Sequence, residues 1–352
     1  MQNKNVVELS RWIRAYGHDS RHQERLLLMP FNWHQLWTAL DVIDDVEWAI
    51  DAYQECEFPS SPGEQYLHIY GLLQALFVQG DAVEHFVSAI RPGVSIGAKD
   101  VFKAIREERN DAIGHPTKRG FKKGELSTHL ISRTTMSKNG FDLVSFLDSN
   151  ENASIRHVNI RELIEKQRAE VTRIMSEVVK ELKKTDAEHR ARFRTKKLAQ
   201  AFHLVPYAFE KISEGLESTS AAPLAQWGAD QLQSSLDAFE ELLKERGVGL
   251  STYDVIEYEY KQIRYPLGEL RKFLVPEPSD IAHSEAARVY ADALNESFSR
   301  LMRVANEIDE EYSGEKPDTP NNQASAHIEI AESETGVTDV HVTWEPVAQD
   351  KE

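Results

Sequence analysis

The sequence predicts a mainly α fold: a helical bundle carrying a small β-hairpin insertion, then a second helical domain and an acidic tail. Three observations predict it. Apolar residues recur every three or four positions through most of the chain up to about Glu311, the spacing of helices that bury one face. A single Asn-Gly pair, Asn139-Gly140, lies between two runs rich in β-branched and aromatic residues, the pattern of a hairpin. From Ser313 onward Gly, Pro, Asn, Ser and acids dominate, leaving too little apolar surface to order a core.

The chain has 352 residues and 41% hydrophobic content, enough for a real core and for two domains. The boundaries read as 1–185 for the bundle with its hairpin at about 128–148, 186–311 for a second helical domain, and 312–352 for a flexible acidic tail.

Within the bundle, Asn5 to Tyr16 reads as a short helix with Val6, Leu9, Trp12 and Ile13 inward. Asn32 to Glu57 is a longer one, whose Asp41, Asp44, Asp45, Glu47 and Asp51 form a solvated face rather than a metal cluster. Pro62 sits near the start of the most apolar helix, Glu64 to Ile90, which apolar residues nearly encircle as expected of a central bundle member. Gln74, Gln79 and Asp81 interrupt that surface, either to satisfy neighbouring elements or to line a cleft. A further helix spans Ala98 to Ile113. LISRTTMS and FDLVSFLD are expected to pair as the hairpin, and Ile160 to Lys184 returns to helix and closes the domain.

The run His189 to Lys197, HRARFRTKK, is the densest basic segment and reads as a linker, a solvated helix face or an RNA contact, in that order. Helical stretches come next at Leu198–Leu216, Leu224–Arg246 and Thr252–Leu274, the last kinked or broken at Pro266. Ser279-Asp280 caps a helix running to about Glu311. In the tail, Ala326 to Ile330 and Val337 to Trp344 alternate enough to form strands if something pairs with them.

A net charge of −17 argues against broad, unspecific nucleic-acid binding. The tail from Glu307 holds thirteen acids and two Lys, which is −11 and leaves −6 for the remainder. Val101 to Glu125 holds seven Lys or Arg against four acids, a local +3, so the acidic total does not exclude RNA. Cys56 is the single cysteine, which rules out an internal disulfide and a zinc site built on several thiolates. There is no signal-like apolar segment and no run of eighteen apolar residues, so a soluble, cytoplasmic protein without membrane contact is expected.

Chemistry concentrates in VFKAIREERNDAIGHPTKRGFKK, residues 101–123. Val101, Phe102, Ile105, Ala112 and Ile113 mark one helical stripe, and Arg109 falls on it. A guanidinium stays charged at any accessible pH, so an anion is expected to meet it. Gly114, suited to a left-handed cap, and Pro116 stop the helix, leaving His115 in the turn. Thr117 to Lys123 then forms a basic loop whose Lys118, Arg119, Lys122 and Lys123 are placed for a phosphate backbone.

The motif Arg109-Asn110-x4-His115 resembles the R-x4-6-H signature of the HEPN superfamily, many of whose members are metal-independent endoribonucleases. The exact match covers these seven residues, with a looser likeness over the first half of the chain. The resemblance implies an Arg and a His closing a site across a homodimer cleft, a polar residue after the Arg, no metal or other cofactor, and a toxin or antiphage-defence setting. On this reading Arg109, Asn110 and His115 are catalytic. His serves as acid or base because its ordinary pKa allows both roles near neutrality, Arg109 offers a fork to two phosphate oxygens, and Asn110 orients phosphate or His115. The alternative is a catalytically inactive helical module that binds nucleotide, RNA or a protein partner, in which Gly114-His115-Pro116 only caps a helix and Arg109 pairs with Glu107, Glu108 or Asp111. Residues 186–352 resemble nothing named and leave room for a protein partner or inhibitor.

Overall fold

The computed structural model describes residues 5–18, 32–90, 99–120, 126–147, 150–217, 222–275, 278–313, 324–332 and 338–346. The protein is mainly helical with a small antiparallel sheet inserted between helical parts. It divides into two compact units, the division falling between Leu182 and Lys183.

The first unit begins with α1 (Val6–His18), whose Asn5 side chain accepts a hydrogen bond from the Glu8 amide as an N-cap. Helix α2 (Asn32–Glu55) and α3 (Pro62–Ala89) come next, then α4 (Lys99–Arg109) and a π-helical turn at Asn110–Gly114. Pro62 opens α3, where its missing N–H has no helical partner to lose. Ile13, Leu36, Leu40, Ile43 and Phe86 are fully buried and meet Val171, Ile174 and Met175 of α5 (Ile160–Phe193). A second apolar cluster joins Ile50, Ile69, Leu73 and Ile105 to Phe141 and Leu143 of the sheet.

Where polar residues enter this interior they are tied together. Gln79, fully buried, donates to Glu47 Oε1 at 2.8 Å, and Arg168 Nε donates to Glu47 Oε2 at 2.7 Å. Of the three polar interruptions of α3, Gln79 satisfies its neighbours. Asp81 accepts from Arg106 at 2.5 Å. The acidic face of α2 is partly engaged, since Asp41 and Asp44 both accept from Arg14.

The hairpin expected over 128–148 is one part of a larger sheet. Strands β1 (Arg119–Gly120), β2 (Leu126–Ile131), β3 (Gly140–Leu147) and β4 (Asn150–Asn159) pair antiparallel in that order. Leu130 stands opposite Val144, and Val144 opposite Ile155. The β2–β3 connection spans residues 132–139 and is no two-residue turn: Gly140 already belongs to β3. Its role there is steric. An added Cβ would stand 2.3 Å from the Val158 carbonyl oxygen, so only glycine lets β3 and β4 approach this closely.

The second unit packs α6 (Val205–Glu217), α7 (Ala222–Glu245), α8 (Asp254–Leu274) and α9 (Ser284–Ser313) around Phe202, Phe239 and Phe298. Three expectations change here. Residues Leu198–Phe202 form a 3-10 turn rather than the start of a longer helix. Helix α8 runs unbroken through Pro266, because Leu267 and Leu270 beyond it are fully buried and hold the segment in place. Helix α9 starts at Ser284 with the His283 ring accepting from the Ala286 amide, whereas Ser279 and the Asp280 amide are captured by Glu269. The basic run forms the end of α5 and the bend after it: Arg190 pairs with Asp186, and Lys196 with Glu245. A buried Arg246–Asp309 pair at 2.7 Å anchors the Leu198 and Ala199 amides to α9.

In the tail, β5 (Ala324–Glu332) and β6 (Thr338–Pro346) pair antiparallel with each other, so the segments supply their own partner.

Candidate active site

The chain leaves α4 through a bond one residue longer than the α-helical one. The His115 amide donates to the Asn110 carbonyl at 2.8 Å, which closes the π-helical turn. Gly114 was expected in the left-handed region, but among the described residues Gly247 alone has positive φ. A Cβ at 114 would instead lie 2.8 Å from Arg109 Nη1 and 2.9 Å from Asn110 Oδ1, so a side chain there would push the ends of both aside. The tip of the Arg109 side chain lies against the glycine.

Arg109 is half-buried and meets no carboxylate among the described residues. Nε and Nη2 both donate to Gln74 Oε1, at 3.0 and 2.9 Å, and Nη1 donates to Asn110 Oδ1 at 3.0 Å. The Phe77 ring lies 4.8 Å from the guanidinium carbon and offers its negative face. Among the described residues no internal ion pair forms on Arg109, and two of the three acids expected there are engaged by other arginines. Glu108 pairs with Arg156, and buried Asp111 pairs with Arg119 and with Arg156 at 3.1 Å. The cation therefore faces amides and a ring, a setting that leaves its charge uncompensated.

Of the residues marked from sequence, the turn brings Arg109 and Asn110 into direct contact. His115 comes directly after Gly114, with its side chain exposed. Lys118 is exposed as well. Arg119 is largely enclosed: besides Asp111, its guanidinium donates to the Glu107 carbonyl at 3.2 Å. Lys122 and Lys123 lie outside the described residues.

A second layer fixes the turn. The His129 amide donates to the Pro116 carbonyl at 2.7 Å, stitching β2 to the residue after His115. The His129 ring is enclosed, with Ser127 Oγ and Ser145 Oγ each 2.8 Å from a ring nitrogen and Asp111 Oδ1 3.7 Å away. Burial holds its pKa below the usual histidine value, with Arg119 and Arg156 adding to the effect, despite the nearby carboxylate.

Gln74 and Phe77 complete the site from α3. Gln74 is one of the polar interruptions that stand out in the sequence, and its spacing to Phe77 is three residues on one helix face. Asp111, expected as a possible partner of Arg109, pairs with Arg119 and Arg156 instead, and His129 carried no signal in the sequence, because both depend on contacts between elements far apart in the chain. No known family, curated protein or solved structure matches this chain.

Proposed function

We propose that this chain is an endoribonuclease of the HEPN type, in which Arg109 holds a backbone phosphate and His115 moves a proton as the adjacent 2′-hydroxyl attacks phosphorus. One observation carries the proposal: the guanidinium of Arg109 is held by Gln74, Asn110 and the Phe77 ring, with no carboxylate on it among the described residues. Such a cation attracts an anion that need not displace an internal one. Asn110, its oxygen turned to Arg109, keeps its amide N–H groups for a phosphate oxygen.

In the reaction a base removes the 2′-hydroxyl proton, the oxygen bonds to phosphorus, and the bond to the 5′-oxygen breaks as that oxygen gains a proton. The products are a 2′,3′-cyclic phosphate and a 5′-hydroxyl. His115 serves as base or acid, and a second chain across a dimer cleft supplies the other role. Lys118, exposed beside the turn, steadies a neighbouring phosphate. A toxin or antiphage-defence setting goes with the same reading.

Cleavage of single-stranded RNA in the presence of a chelator tests it, comparing the parent with Arg109→Ala and His115→Ala. Loss of cleavage in both folded variants supports the enzyme. A parent that binds RNA and leaves it intact supports the inactive binding module instead.

A further inference from the structure

The face of α3 that carries Gln74 continues, one turn toward the helix start, into an open strip. Leu67 is 71% exposed and Tyr70 37%, and Gly71 beside them is exposed. Positions 67, 70, 71 and 74 share one side of a helix, and the rise from Tyr70 to Gln74 is about 6 Å. Tyr66 backs Tyr70 edge-to-face with ring centroids 5.4 Å apart, and its hydroxyl donates to the Ile131 carbonyl at 3.4 Å. Tyr70 is therefore braced from behind while its outer side faces solvent.

Gly71 is the informative residue. It lies inside a long helix, where glycine is less favourable than alanine, and an added Cβ would meet nothing within 4 Å. Nothing among the described residues asks for glycine there. A flat spot between an apolar side chain and a tyrosine, next to an uncompensated guanidinium, suits a flat ring attached to a phosphate.

We propose that Leu67, Tyr70 and Gly71 form a nucleobase floor for single-stranded RNA, seating an unpaired base beside the phosphate held by Arg109. This deepens the ribonuclease reading and rests on it. Stacking on a tyrosine is tolerant of base identity and demands an unpaired base, so the strip selects single strands over duplex and not one sequence over another. The charge of Arg109 and its continuity with the strip favour a nucleic acid over a second copy of this chain.

Binding to a fluorescently labelled 2′-O-methyl oligonucleotide, which cannot be cut by 2′-hydroxyl attack, tests the floor separately from catalysis. Tyr70→Ala is expected to weaken single-strand binding about tenfold, Tyr70→Phe to retain it, and Gly71→Leu to weaken it while the melting temperature does not fall. The same oligonucleotide in a duplex is expected to bind weakly to all four proteins. Three results overturn the proposal: no binding by the parent, binding unchanged in Tyr70→Ala and Gly71→Leu, or a change of oligomeric state in these variants in place of a change in RNA affinity. Failure of the parent to cleave unmodified RNA would instead sink the ribonuclease reading, and cleavage retained by Arg109→Ala would sink the role given to Arg109.

Discussion

The guanidinium of Arg109 occupies the space that a side chain at residue 114 would fill: a Cβ on Gly114 would sit 2.8 Å from Arg109 Nη1. The π-helical turn and the placement of the cation are thus one feature. The turn carries Gly114 against the tip of the Arg109 side chain and delivers His115 directly after it.

Gly114→Ala tests this contact. The methyl group displaces the guanidinium, not a packed core, so the melting temperature changes little. Cleavage efficiency is expected to fall about 100-fold, the effect of a misplacement near 1 Å. Unchanged kcat/KM in a folded Gly114→Ala protein contradicts the role given to Arg109.

Gln74→Glu puts a carboxylate where the amide oxygen now accepts two guanidinium N–H groups. The new ion pair competes with phosphate, and at least ~1.4 kcal/mol of competition means a tenfold loss of RNA affinity at low salt. Stability should hold or rise. Fluorescence anisotropy against a salt series measures the loss; equal affinity of parent and variant argues that Arg109 does not receive the phosphate.

Much of the fold is legible from residue spacing, and the exceptions share a cause. The apolar helices α2 and α3 and the strand β3 lie where their apolar residues place them, whereas β2 runs from Leu126 to Ile131 and shares only Leu130 and Ile131 with the expected strand LISRTTMS. Strand β4 escapes notice because Val158 is the one core residue among its described side chains, and Arg156 on the same strand serves Glu108 and Asp111 instead of an apolar layer. Pro266 and the start of α9 mislead for a similar reason. Local signals for a break and a cap are overridden by the burial of Leu267 and by Glu269, which reaches Ser279 and Asp280 from another helix. At the site, Arg109, Asn110 and His115 stand out by type and spacing. That Arg119 turns inward to Asp111 while Arg109 meets Gln74, Asn110 and no carboxylate among the described residues is settled between elements, where spacing carries no information.

Stability should respond to pH through His129. Its folded pKa lies below the ordinary value of 6.5, so the unfolded chain takes up the proton first. The contribution is complete above about pH 6.5 and is lost as pH falls through the folded pKa. Urea unfolding between about pH 7.5 and 5.5 should show the decline, and His129→Gln should flatten it. An identical slope in the variant excludes His129 as the source.

Gly140→Ala should destabilise the first unit without touching the site directly. The methyl carbon would approach the Val158 carbonyl oxygen to 2.3 Å, so β3 and β4 must separate. A loss of about 1–3 kcal/mol in urea unfolding is expected. A variant as stable as the parent contradicts the close approach of these strands.

The chemistry itself is read most directly from the ends of the cleaved RNA. After incubation with chelator present, the 3′ product of each cut should begin with a 5′-hydroxyl and the 5′ product should end in a 2′,3′-cyclic phosphate. A strand whose 2′-hydroxyls are methylated should stay intact, and Arg109→Ala should yield no cut ends. Cleavage of the methylated strand, or equal product from Arg109→Ala, would contradict phosphate capture by Arg109 and attack by the neighbouring hydroxyl.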